Sequence, residues 1–332
     1  MSGERWHWID MMRGGCMLAI LYFHTEMYYA GTDVTPYAAY VDNVLAAFFF
    51  LSGYLLFRPS RPVSTGYRLR RIWRTLVVPY FFFSLLFLVP KALVHDAASK
   101  LLPMLLQVFT GQASWFVAAL VVSEVLLLAV LRLWRGSLLS VALFGLLTLA
   151  AAIVVGNRTS PLCNDFNFWH VNEALLGSFF MSLGYLCHAA EPRTRLSGRA
   201  WCGVVALLVV LLVGTKWAVL SQGHQMVFGP IVVSSFPLFV ADNVVALLLL
   251  LAMFRRMPLV QPLSWMGRRS LVLYFVCGGV PLLVARCFGF LGLSYSGRLS
   301  LLPVFAVVVL LAALVAALVY RYFPWLMGGR NF

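Results

Sequence analysis

Apolar stretches long enough to cross a bilayer recur along the whole chain, and no other feature constrains the fold as strongly. A span needs about 20 mostly apolar residues. Ten such stretches are legible, at 9–30, 38–57, 76–95, 114–133, 137–155, 170–188, 200–219, 231–254, 270–288 and 300–322. The segment 99–113 is apolar but short and is broken by Pro103, so it reads as an interfacial or re-entrant piece. The expected fold is an all-α, polytopic transmembrane bundle of about ten spans. It forms a single domain over 1–332, with no internal repeat and no loop long enough for a soluble domain.

Composition agrees with this. Charged residues make up 11% of the chain and hydrophobic ones 62%, whereas a soluble domain carries roughly a quarter charged residues. The formal charge of +14 comes from short basic runs between apolar stretches. No basic face with interleaved aromatics forms, so nucleic acid is not an expected partner. The six cysteines show no paired spacing, which argues against a disulfide framework or a metal site. Asp10 and Arg13 interrupt the first apolar stretch and no small-residue cleavage site follows, so it reads as an anchor and not a cleaved leader.

Basic residues set the orientation. Of the 25 lysines and arginines, only Lys91, Lys100, Arg158, Lys216, Arg286 and Arg298 fall on one side of the expected spans. The rest fall on the other side, which is therefore cytoplasmic and holds both termini. The tryptophans fall near expected helix ends, where aromatic belts sit.

The first span carries Asp10, Arg13, His24 and Glu26. Arg13 and His24 are eleven positions apart. Eleven steps of ~100° return to within ~20° of the same face, with a rise of ~16 Å. Ionisable groups in a bilayer belong inside the protein or against a water-filled cavity, and they are usually functional. Histidine exchanges protons near neutrality, so His24 is the natural general base for a hydroxyl. The alternative is a buried histidine bonded to a neighbouring helix.

Three further groups stand out. The run 66–75 holds Arg68, Arg70, Arg71 and Arg74 just before the third span. It reads either as a topology signal or as a grip on an anionic cytoplasmic ligand, because the arginine fork suits phosphate. Glu26, Asp42, Asn43, Trp169, His170 and Glu173 fall at similar depth near the outer ends of their spans. Together they would form a polar, aromatic-rimmed vestibule suited to sugars; singly, each reads as helix-end solvation. Asp242 lies mid-span beside Asn243 and must be paired or wet. It could pair with Arg286, polarise His24 or hold helices together.

Several of these patterns resemble the acyltransferase-3 family, bacterial integral-membrane enzymes that move acyl groups from coenzyme A to hydroxyls. They are Arg13, ten residues, then His24 in a first span opening Trp8-Ile9-Asp10; Phe48-Phe49-x-x-Ser52-Gly53; Arg71-Ile72-Trp73-Arg74; and Trp115-Phe116-x-x-x-Leu120. A late motif matches at Gly267, Ser270 and Tyr274, but Cys277 stands where the family's histidine is usual. The resemblance implies His24 as catalytic residue, Arg13 near the donor, and Arg71 and Arg74 on the donor's phosphates. It further implies acetyl-CoA or another acyl-CoA from the cytoplasm, a glycan or other hydroxyl acceptor, no metal, and residence in the bacterial inner membrane. The rival expectation is a secondary transporter, or a flippase for a lipid-linked sugar. It calls for inverted repeats and broken helices, and the sequence shows neither.

Overall fold

A computed structural model describes residues 6–58, 64–88, 101–164, 167–191 and 197–327. The end of the third expected span and Arg5, Arg61, Lys91, Lys100, Arg193, Arg195 and Arg330 lie outside these residues. Among the described residues the protein is all-α apart from two strands of two residues, Met226–Val227 and Val232–Val233. Among the described residues five helices are long and apolar enough to cross a membrane, or six if one bent pair counts as a span. Helix nonetheless occupies each of the ten expected stretches. Two that miss the apolar criterion, α1 (His7–Tyr29) and α8 (Val171–Ala190), carry candidate site residues; α2 (Val41–Leu56), which carries others, is only 16 residues long.

The chain divides into two compact units. The first comprises Met1–Phe48, Leu196–Val227 and Ser234–Tyr322. It contains α1, the start of α2, α9 (Gly198–Ser221), α10 (Phe236–Arg256), α11 (Gln261–Arg268), α12 (Ser270–Val276), α13 (Gly279–Phe290) and α14 (Leu301–Tyr322). Its centre is the crossing of α1 with α11, where each helix offers a glycine to the other's backbone. A Cβ on Gly14 would lie 2.0 Å from the Leu263 carbonyl oxygen, and one on Gly267 would lie 1.7 Å from that of Asp10. In lipid, close packing of small residues replaces the hydrophobic effect as the force between helices. The expected span 270–288 is not continuous. It breaks at Cys277–Gly278 with a 47° bend between α12 and α13.

The second unit comprises Phe49–Arg195, Phe228–Val233 and Phe323–Phe332. After the rest of α2 come α3 (Thr65–Ile72), a π-turn (Trp73–Val77) and α4 (Val78–Leu86). Next is α5 (Leu101–Phe109), the short apolar segment, whose 9 residues are too few to span. Then follow α6 (Trp115–Leu133), α7 (Leu138–Ala151) and α8. Here too a helix crossing uses two glycines. Gly53 of α2 abuts the Met181 carbonyl, and Gly184 of α8 abuts the Phe50 carbonyl. Buried Phe49, Phe116, Phe180 and Phe228 fill the space beside that crossing.

Candidate active site

In the first unit α1 is unbroken, so Arg13 and His24 share one stripe, both half-buried. Phe23 meets the His24 ring edge-on at 5.4 Å, and Tyr28, one turn further, lies parallel to it at 6.2 Å. No hydrogen bond engages the imidazole among the described residues. Its plane is therefore set by aromatic packing.

Glu26 is only two residues beyond His24, but that is ~200° around the helix, so the two side chains leave α1 on opposite sides. Glu26 is 0% exposed and accepts a hydrogen bond from Thr35 Oγ1 at 2.8 Å. Its carboxylate ties down the loop after α1 instead of facing the imidazole.

Asp42 and Asn43 are also enclosed. They join Asn243, Asp242, Thr215 and Lys216 in one network linking α2, α9 and α10. Asp242 accepts from Lys216 Nζ at 2.6 Å, Thr215 Oγ1 at 2.8 Å and Asn43 Nδ2 at 2.9 Å. Asn243 Nδ2 donates to Asp42 Oδ2 at 3.2 Å, and Lys216 stands 3.8 Å from Asp42 Oδ1. Lys216 also donates to the Ala38 carbonyl at 2.7 Å. Of the three readings of Asp242, the helix-tying one describes its contacts. Sequence reasoning missed Lys216 and Thr215, which were legible only as a lysine and a threonine near the end of an apolar stretch.

In the second unit Arg70, Arg71 and Arg74 are exposed and line a small hollow with Tyr67 and Thr75. No carboxylate pairs with these three arginines among the described residues. Arg68 is buried beside them. Burial, then the charges of Arg71 and Arg58, pull its pKa below the usual arginine value. The hollow is thus a concentration of positive charge at the surface. It sits where α3 passes into the π-turn, an irregularity frequent at functional sites.

Trp169, His170 and Glu173 come together at the start of α8. His170 Nδ1 is 3.1 Å from Glu173 Oε2, which also accepts from Asn167 Nδ2 at 2.6 Å. The Trp169 indole donates to the Phe109 carbonyl at 3.1 Å, and its ring packs on Tyr80. Trp115, which the sequence places as an interface anchor, instead packs on Phe116, Phe228 and His170 and fills the space beside Gly229.

Long apolar helices with ionisable side chains turned inward define a multi-pass membrane protein. The acyltransferase domain of the acyltransferase-3 family matches residues 6–321, nearly the whole chain, and the chain belongs to that family. Membrane acyltransferase activity follows from the membership. No curated protein and no solved structure matches the chain.

Proposed function

We propose that the protein moves an acyl group, acetyl by expectation, from cytoplasmic acyl-CoA to a hydroxyl of a cell-envelope or exported glycan, in a bacterial inner membrane with both termini inside. The observation that carries this reading is the half-buried His24 imidazole, free of hydrogen bonds among the described residues and on one helical stripe with Arg13. The ~16 Å rise between them is about the reach of a pantetheine arm.

Arg71 and Arg74 bind the donor's phosphates as forked, permanently charged groups, and Arg13 guides the arm along α1. His24 accepts the proton of the acceptor hydroxyl. The oxygen attacks the thioester carbonyl, the carbon–sulfur bond breaks, and His24 returns the proton to the departing thiolate. For the acceptor, Glu26, Asp42 and Asn43 act through the loop and helix ends that they hold, and Trp169, His170 and Glu173 offer polar and aromatic contacts.

The test is His24→Gln, which keeps the size and a hydrogen-bonding group but cannot take a proton at neutral pH. Acyl transfer in membranes should fall by at least ~10²–10⁴-fold, with coenzyme A binding to the purified variant retained. Near-normal transfer would make the imidazole structural and end this mechanism. One observation favours a second reading, transport: the break between α12 and α13 is of the kind that lines transporter sites. Solute uptake by proteoliposomes without any acyl donor would support it.

A further inference from the structure

Two successive residues ahead of α8, Trp169 and His170, have left-handed backbones with φ of 50° and 52°. Neither is glycine, and such conformations are costly and persist only where the surroundings impose them. Here they do. The Trp169 amide donates to the Thr110 carbonyl at 3.0 Å, and its indole is held by Phe109. Gly111 makes room, since a Cβ there would lie 2.6 Å from the Trp169 Cα.

The consequence falls on His170. Its Nδ1 is delivered to Glu173 Oε2, a carboxylate that can only accept, so Nδ1 carries the proton. In the neutral imidazole Nε2 is then a bare acceptor. It is enclosed and has no hydrogen-bond partner among the described residues. The Trp115 ring stands 6.4 Å from the imidazole. A strained backbone and an unsatisfied buried acceptor coincide on one side chain, and an acceptor left this way is costly unless a ligand supplies a donor.

We propose that His170 Nε2 accepts a hydrogen bond from an uncharged hydroxyl of the acyl acceptor. Glu173 is the positioning residue that fixes the tautomer, and Trp115 is an apolar wall for a sugar ring. An anionic group would find no donor on this nitrogen, so the site selects neutral hydroxyl-bearing acceptors. Trp169 is not a contact residue; its indole N–H is already engaged and its role is to hold His170. This inference rests on the acyltransfer reading above, because it supposes a hydroxyl acceptor.

The test exploits the shape of two amides. Glutamine at 170 can place its carbonyl oxygen near the Nε2 position, whereas asparagine reaches only the Nδ1 position. Membranes containing the native envelope acceptor are given labelled acetyl-CoA, and label in the envelope polymer is measured alongside coenzyme A binding. His170→Asn and His170→Ala should lose at least about tenfold in transfer, as expected for one acceptor of a buried hydrogen bond. His170→Gln should retain clearly more than either, and coenzyme A binding should be unchanged in all three. Glu173→Leu should raise the acceptor KM without changing the donor KM. Asparagine outperforming glutamine would show that only the Glu173 contact matters and would overturn the inference. Equal transfer by all variants would overturn it as well, and so would parallel loss of transfer and donor binding. The acyltransfer reading itself stands or falls separately, on His24→Gln.

Discussion

Tyr28 lies parallel to His24 on α1, with ring centroids 6.2 Å and planes 17° apart. The pair is one helical turn apart, the spacing at which side chains of a helix meet. A Cβ on Gly278 would sit 3.8 Å from the Tyr28 hydroxyl, which places this tyrosine against the break between α12 and α13. With no hydrogen bond to orient His24 among the described residues, the Tyr28 face is what holds the imidazole plane. Tyr28→Phe keeps the face and should transfer acyl groups within about twofold of normal, since the hydroxyl takes no part in the ring contact. Tyr28→Leu should lower kcat by roughly tenfold, the value of about one aromatic contact of up to 1.5 kcal/mol, with the donor KM unchanged. Steady-state kinetics on both variants decides; equal rates would mean that the ring contact is incidental.

The crossing of α1 and α11 should be intolerant of any side chain. At Gly267 a Cβ would lie 1.7 Å from the Asp10 carbonyl oxygen, so Gly267→Ala forces the helices apart. Overpacking of this kind costs ~1–3 kcal/mol or more. The thermal midpoint in detergent should drop by several degrees, and transfer should fall because α1 carries Arg13 and His24. Gly279→Ala, with open space around it, is the control and should melt normally. A normal melting curve for Gly267→Ala would contradict the close approach.

Lys216 is the cation for two enclosed carboxylates, Asp242 at 2.6 Å and Asp42 at 3.8 Å. Removing one partner of a buried ion pair typically costs ~3–5 kcal/mol, because the other charge is left stranded. Lys216→Met should therefore be poorly stable in a detergent melt. Adding Asp242→Asn to it should recover part of the loss, since an amide carries no charge and can accept from Asn43 through its oxygen and donate to the Thr215 hydroxyl through its nitrogen. A double variant no better than the single one would show that the lysine works through the Ala38 carbonyl alone.

Arg71 and Arg74 are exposed and unpaired among the described residues, so their removal should not disturb folding. Either alanine variant should weaken coenzyme A binding by roughly tenfold, in line with a charge-assisted hydrogen bond of ~1.5–3 kcal/mol. Lysine should restore only part of it, because a point charge lacks the bidentate fork. Isothermal titration in detergent measures this directly. Unaltered affinity in both alanine variants would reduce the cluster to an orientation signal.

Much of this molecule was readable from the amino-acid order alone, and for a definite reason. In a bilayer the solvent decides secondary structure, so a count of apolar stretches predicts helices, as it does for α1, α6, α7, α9, α10 and α14. Helical periodicity is equally local, which is why Arg13 and His24 could be set on one stripe of α1 before any fold was known. Family membership was likewise written in short motifs around those residues. Depth along a helix, however, is not direction around it. Glu26 shares the depth of His24 but faces away, into a bond with Thr35. Asp242 has its lysine, Lys216, on another helix, 26 positions earlier in the chain, and no spacing rule finds a partner chosen by how helices pack. The break at Cys277–Gly278 and the left-handed backbone of Trp169 and His170 belong to the same class. Each is a local cost accepted because distant segments, joined only when the chain is folded, hold it in place.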